Sequence, residues 1–498
     1  HILYLPSLVI SATKILQKKK LWKKKNSNVK KHHAIILPLP LQGHINPAVN
    51  LSLKLASSKN FTITFLTFEF LHQDLTRAHP YIDTHIDIFS QEKQGPNGVD
   101  IRYRVFSDGL PLKFDRTGKL DEYLEWYMSG GMFDQVEKEI EEVVLKSNPK
   151  VDVLIIDTFY PWASKIAKKF GLRLASFWTE PALVFNLYHH VHLLKLHGHL
   201  DCSDTRKDPI DYIPGVQSIK QHDLMSYLQD KDVSTNMHKL IFQAYQDVRK
   251  ADYVLCNTVQ ELESDTISAL QALMPFYAIG PIFPPVSPDK AVPTSLWTES
   301  SCLEWLGSMP NGSILYVSFG SLANFSKDDV TEIAYGLIES NVDFVWVLRP
   351  RTVLHEADHL LPVGFEEVVR GRGIVVPWTN QIAVLSHPAI GGFLTHCGWN
   401  SVLESVWYKI PMLCFPIFTD QFTNRKLVVD DWKVGINFGN GQPLKRMEIA
   451  SQIKRFMSKE NGDELRENID VVRKILGNAL EDEGSSSKNI DLFIEQLI

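Results

Sequence analysis

The stretch from Trp378 to Gln421 reads WTNQIAVLSHPAIGGFLTHCGWNSVLESVWYKIPMLCFPIFTDQ. Within it, Gly392–Thr395 has the length and apolarity of a buried strand. His396-Cys397-Gly398-Trp399-Asn400-Ser401 then carries the chain from that strand into a helix. A helix start offers unpaired N–H groups and a partial positive charge, which suits a diphosphate. Gly398 lets the backbone approach closely. Ser401 adds a hydroxyl donor, and His396 can donate a hydrogen bond to phosphate. A second reading needs no ligand, because Ser401-x-x-Glu404 has the spacing of a capping box. Trp378 follows another buried strand, where an indole can stack on a base or fill a core.

Strand and helix alternate outward from this segment in both directions. On the amino-terminal side, Ser313–Ser318, Phe344–Leu348 and Ile374–Val376 read as strands, and Ser326 caps a helix with Val330, Ile333, Ala334 and Leu337 on its apolar face. Pro281, Pro284, Pro285, Pro288 and Pro293 mark a linker. Before it the alternation begins at Ala34–Leu39. Asn46 is expected to cap the following helix, with Pro47 in its first turn. Phe61–Phe68, Val151–Ile156 and Leu174–Phe177 are further strands. Such alternation implies parallel sheets with right-handed crossovers, and ligands beyond the carboxyl ends of the strands. His44 and Asp157 both fall at such ends. A histidine that titrates near neutrality suits proton abstraction, and a carboxylate can orient it. Alone, each also reads as an ordinary loop histidine and a helix-capping aspartate.

The 498 residues exceed what one core supports, so two domains are expected. Apolar residues at 44% and charged residues at 22% place the chain among globular proteins. A net charge of -6 leaves no basic field for nucleic acid. Five widely spaced cysteines without a CxxC pair suggest neither a disulfide framework nor a zinc site, and fit a reducing compartment. The cluster His189, His190 and His192 reads as an exposed or acceptor-lining helix. Residues 1–30, lysine-rich at their end, read as a disordered leader; a membrane anchor is the alternative.

HCGWNS at 396–401, Glu404, Pro411 and the pair Asp420-Gln421 fall in register with the signature box of plant secondary-product glycosyltransferases. The segment resembles that part of the large UDP-dependent glycosyltransferase family. The likeness extends to GHINP at 43–47 and SFGS at 318–321, and covers residues 31–498. It implies an α/β GT-B fold, two Rossmann-like doubly wound domains facing a cleft. The expected parts are an acceptor-binding domain over 31–283, a linker over 284–311, a UDP-sugar-binding domain over 312–475, and a carboxyl-terminal helix over 476–498 packing back on the first domain.

The resemblance also implies roles. His44 and Asp157 are the expected catalytic pair. Ser321, Trp378, Thr379, Gln381, His396, Gly398, Trp399, Asn400, Ser401, Glu404, Asp420 and Gln421 are the expected donor-binding residues, with Glu404 on the ribose and Asp420 and Gln421 on the sugar hydroxyls. Trp178 and Thr179 match sugar-contacting positions. Thr379 and Asn380 depart from the family's commoner Ala or Cys followed by Pro. The implied reaction is inverting transfer of glucose from UDP-glucose, a co-substrate, to a hydroxyl or carboxyl of a small aglycone. Neither metal nor cofactor is expected, and a cytoplasmic monomer without nucleic-acid partner or membrane span is. A nicotinamide oxidoreductase would need a GxGxxG turn after a strand, which the sequence lacks. A non-catalytic UDP-sugar-binding protein would keep the 378–421 box without the base.

Overall fold

The computed structural model describes residues 31–58, 61–79, 87–94, 98–200, 206–283, 292–349, 360–438 and 445–497. The leader at 1–30 and linker residues 284–291 lie outside them. Seven strands make the first sheet: β1 His32–Leu37, β2 Phe61–Phe68, β3 Ile101–Phe106, β4 Val153–Asp157, β5 Arg173–Trp178, β6 Tyr253–Cys256 and β7 Phe276–Ala278. All pairs are parallel, in the order β3-β2-β1-β4-β5-β6-β7. Six strands make the second: β8 Ile314–Ser318, β9 Asp343–Val347, β10 Gly373–Val376, β11 Ile390–Thr395, β12 Met412–Cys414 and β13 Gly435–Asn437. They too are parallel, in the order β10-β9-β8-β11-β12-β13. This is the GT-B arrangement of two Rossmann-like domains. β1, β2 and β4 are buried at every position, as a parallel sheet covered on both faces requires.

Each sheet reverses its strand order once, between β1 and β4 in the first and between β8 and β11 in the second. Ligand crevices form at such switch points. The first turn of the helix after β1 carries His44 and the end of β4 is Asp157; the turn after β8 carries Ser321 and the loop after β11 carries His396. Topology alone therefore puts the expected residues of each domain side by side.

One apolar cluster is shared by the two domains. It runs from Trp178, Phe185 and Phe276 to Trp399, Met412 and Ile469. The tail crosses the molecule as well. After the helix Lys459–Leu480, the segment Glu481–Gly484 turns the chain, so the stretch expected as one helix over 476–498 is broken. The helix Ser485–Gln496 then lies on the first domain. Asn489 Nδ2 donates to Ala278 O at 2.8 Å, Tyr253 Oη donates to Gln496 O at 3.0 Å, and Phe493 is buried edge-on against Tyr253. Among the described residues no helix is long and apolar enough to cross a membrane. Cys256, Cys302, Cys397 and Cys414 are buried free thiols.

Candidate active site

The helix after β1 spans Gln42–Ser57. It starts four residues before the expected cap, with Leu41 as N-cap and Pro47 inside. Proline has no N–H, so the carbonyl four residues back, that of Gly43, gets no helical hydrogen bond. Asn400 Nδ2, at the start of the second domain's helix Trp399–Trp407, donates to that carbonyl at 2.8 Å. The proline thus leaves an acceptor beside His44 that the opposite domain uses. Gln42 braces the same turn: its Nε2 donates to Thr294 O at 2.8 Å, and its Oε1 accepts from Leu296 N at 3.0 Å.

His44 Nδ1 lies 2.6 Å from Asp157 Oδ2 and 3.1 Å from Thr179 Oγ1. The Asp157 side chain is almost wholly buried, whereas His44 keeps 12% of its side-chain surface open. Asp157 Oδ1 also accepts from Phe159 N at 3.0 Å, which fixes the carboxylate. A carboxylate partner holds the proton on Nδ1 and leaves Nε2 with its lone pair. Glu180, beside Thr179, belongs to no sequence motif. Burial pushes its carboxyl well above the usual range, helped by negative Asp420 and Asp157.

Across the cleft, the helix Trp399–Trp407 has Gly398 as N-cap with no side-chain cap. Its first hydrogen bond runs from Val402 N to Gly398 O at 3.0 Å, so the amides of Trp399, Asn400 and Ser401 precede the helical ladder. The His396 imidazole lies between two turns. A Cβ at Gly320 or at Gly398 would come within 2.4 Å of its Nε2. Burial, and after it the charge of Arg349, push His396 down to about 4. At neutral pH this imidazole is uncharged; it can donate a hydrogen bond, while the positive potential comes from the helix start. Ser321 sits in the β8 turn next to Gly320.

Ser401 and Glu404 do not form a capping box, because Ser401 is the third helical residue rather than the cap. Both converge on Gln381, whose Nε2 donates to Ser401 Oγ at 2.9 Å and to Glu404 Oε2 at 2.7 Å. Burial pushes Glu404 up to about 7, against the opposing pull of the Gln381 hydrogen bond. Asn380 replaces the ring of a proline by a side-chain cap: its Oδ1 accepts from Ala383 N at 3.0 Å and starts the helix Gln381–Leu385. Thr379 is buried, with its hydroxyl 3.9 Å from Cys302 Sγ. Trp378 is half-buried and packs on Trp297 with ring centroids 4.7 Å apart; Trp297 carried no sequence signal.

Asp420 and Gln421 open the helix Gln421–Lys426 and are both buried. Asp420 Oδ1 accepts from Thr419 Oγ1 at 2.7 Å, and Gln421 Oε1 accepts from Ile417 N at 2.9 Å and Phe418 N at 3.1 Å. Burial raises the Asp420 carboxyl; hydrogen bonds from Thr419 and Asn424, and then the nearby His44, pull the other way. Two expected contacts change character. Trp178 is fully buried in the core, and its indole N–H donates to Pro181 O at 2.9 Å. The Trp399 indole turns into the first domain, donating to Asn257 O at 2.7 Å. In the histidine cluster, His189 and His190 are buried, whereas His192, in the next helix Val191–Leu196, is exposed. Among the described residues no group of three His, Cys, Asp or Glu could hold a metal ion.

A proton-accepting pair on one wall of a cleft and an anion-ready helix start on the other are the working parts of a transferase whose leaving group is a phosphate. The family of UDP-glucoronosyl and UDP-glucosyl transferases matches residues 146–469. UDP-glycosyltransferase 86A1 of Arabidopsis thaliana is 49% identical over 476 residues, covering 94% of this chain and 95% of its own length. A UDP-glucosyltransferase structure from Polygonum tinctorium, capable of glucosylating indoxyl and in complex with 3,4-dichloroaniline, is 28% identical with a TM-score of 0.76, covering 94% of this chain and 98% of its own. Medicago truncatula UGT71G1 complexed with UDP-glucose is 25% identical at a TM-score of 0.76, covering 94% and 98%. The chain belongs to the UDP-glycosyltransferase family, enzymes that transfer a sugar from a UDP-sugar to small acceptors.

Proposed function

We propose that the protein transfers glucose, with inversion, from UDP-glucose to a hydroxyl or carboxyl group of a small acceptor in the cytoplasm, without metal or cofactor. The observation that carries this reading is the 2.6 Å contact of His44 with Asp157 at the first switch point, tied through Gly43 to Asn400 of the helix start at the second. His44 Nε2 takes the acceptor proton as the acceptor oxygen bonds the anomeric carbon. The bond from that carbon to the diphosphate breaks, and UDP leaves with the electron pair. The helix-start amides, Asn400, Ser401 and a neutral, hydrogen-bonding His396 receive the diphosphate. Glu404 accepts from the ribose hydroxyls, with Gln381 beside it. Trp378 faces the base, and Asp420, Gln421 and Thr179 face the hexose. A protein that only held UDP-sugars would have no use for a buried carboxylate aligned on His44.

The test is a mutational cycle with UDP-glucose and an acceptor found by mass-spectrometric screening, run with and without a chelator. His44→Ala should lower turnover by about 10²–10⁴-fold. UDP affinity should barely change, because the diphosphate is held by the other domain. Asp157→Asn should cost less, and the double variant no more than His44→Ala, since the two act as one unit. Wild-type turnover in His44→Ala, or loss of transfer on chelation, would overturn the mechanism.

A further inference from the structure

Thr419 has a φ of 58°, a left-handed conformation that β-branched residues rarely adopt. It immediately precedes Asp420 and Gln421, and the hydrogen bonds that hold its backbone come from the other domain. Ser226 N donates to Thr419 O at 3.0 Å, and Thr419 N donates to Ser226 Oγ at 2.9 Å. Both backbone groups of the strained residue are therefore taken by one serine. Two more links flank this pair. Thr423 Oγ1 donates to Asp223 O at 2.7 Å, and the buried Arg425 guanidinium pairs with the buried Asp223 carboxylate. Residues 223–226 lie between β5 and β6 of the first domain, whereas residues 419–425 open the helix that follows β12 of the second.

We propose that Ser226 is a positioning residue for the donor sugar: from the opposite domain it holds Thr419 in its left-handed turn and so aims Asp420 and Gln421 at the hexose. This rests on the reading of Asp420 and Gln421 as partners of the sugar hydroxyls. The Thr419 hydroxyl already bonds Asp420 Oδ1, and the Gln421 carbonyl oxygen is fixed by Ile417 and Phe418. A relaxed Thr419 would rotate both side chains together. The domain that receives the acceptor thus takes part in choosing the sugar. UDP alone, which lacks the hexose, should not sense Ser226.

Two variants separate this role from a merely structural one. Ser226→Ala removes the acceptor of the Thr419 amide, whereas Ser226→Thr keeps a hydroxyl there. Steady-state kinetics with UDP-glucose and UDP-galactose, inhibition by UDP, and hydrogen exchange of a peptide spanning 417–421 are read for each. Ser226→Ala should raise the UDP-glucose KM about five- to tenfold, the equivalent of one lost hydrogen bond. It should also narrow the preference between the two sugars and speed exchange in the 417–421 peptide, while UDP inhibition stays unchanged. Ser226→Thr should restore wild-type values. UDP inhibition weakening in parallel with KM, unchanged exchange at 417–421, or Ser226→Thr behaving as Ser226→Ala would each overturn the proposal. A wild-type enzyme that prefers UDP-galactose, with Ser226→Ala still raising that donor's KM and speeding exchange, would refute the glucose reading and support the positioning role.

Discussion

Glu404 is the site residue whose protonation the structure moves into the physiological range. With its carboxyl pushed up to about 7, the folded, unliganded protein keeps this proton to a higher pH than the unfolded chain does. Between the ordinary carboxylate range and pH 7 the native state therefore binds more protons, and stability falls as pH rises through that window. Replacing Glu404 by Gln should flatten part of this fall, seen as a smaller drop in Tm between pH 5 and pH 8. Ribose hydroxyls that donate to Glu404 favour its ionised form, so UDP binding near pH 6.5 should release a proton. Calorimetry in two buffers of different ionisation enthalpy reads that proton directly. Equal proton release by wild type and Glu404→Gln would show that the ribose does not meet this carboxylate. The placement of the candidate site was legible at this scale, since His44 meets Asp157 and Gln381 meets Glu404 at the strand ends where the sequence puts them. What was not legible shares one cause. A sequence gives the residue type at a switch point but not the direction of its side chain. Trp178 ends β5 and Trp399 opens the helix after β11, yet both indoles turn into apolar core. Ser401 and Glu404 have capping-box spacing, but the helix starts at Trp399, three residues earlier than that box requires. Thr419 could not be read at all, because its conformation is imposed by a serine 193 residues away.

At the scale of elements, the deciding unit is the β11 loop with the helix Trp399–Trp407, packed against the β8 turn. Long, uniformly buried strands such as β1, β2 and β8 were visible as apolar runs. β3 alternates polar and apolar residues, and β7, β12 and β13 have three residues each; such pieces offer too little pattern to be seen. The helix start depends on a close approach. Gly398 has φ -61° and ψ 139°, which any residue can adopt, so its requirement is for space and not for conformational freedom. An added methyl would meet His396 Nε2 at 2.4 Å, and the imidazole cannot retreat toward Gly320, which flanks it equally closely. Gly398→Ala should therefore displace the imidazole from the diphosphate and raise the UDP Kd by about tenfold or more, within the usual cost of overpacking. His396→Ala should weaken UDP binding by itself. In that background Gly398→Ala should add little, because the clash has been removed. Titration of UDP into the four proteins measures the cycle, and wild-type affinity in Gly398→Ala would show that the ring moves aside without consequence.

For the whole molecule, the question is whether two Rossmann-like domains unfold as two bodies or one. Their composition and linker suggest independence, but three features of the structure argue for one cooperative unit. The apolar cluster from Trp178 and Phe276 to Trp399 and Ile469 belongs to both domains. Polar links cross the cleft at Asn400–Gly43, Trp399–Asn257 and Arg425–Asp223. The tail leaves the second domain and buries Ile490 and Phe493 in the core of the first. When two folding units share buried apolar surface, exposing one exposes part of the other, and the transitions merge. Calorimetry should therefore record a single unfolding transition, and UDP, which meets mainly the second domain, should move all of it upward. Phe493→Ala removes a ring buried against Tyr253 and should cost about 3–5 kcal/mol of stability. Because that cost falls on a shared unit, it should lower the one transition without splitting it. UDP affinity of the folded protein should survive, since the proposed diphosphate site lies in the other domain. Near-ultraviolet circular dichroism and tryptophan fluorescence, followed through the same melt, provide the check. Two resolved transitions, of which Phe493→Ala moves only one and UDP only the other, would mean that the shared cluster does not couple the domains.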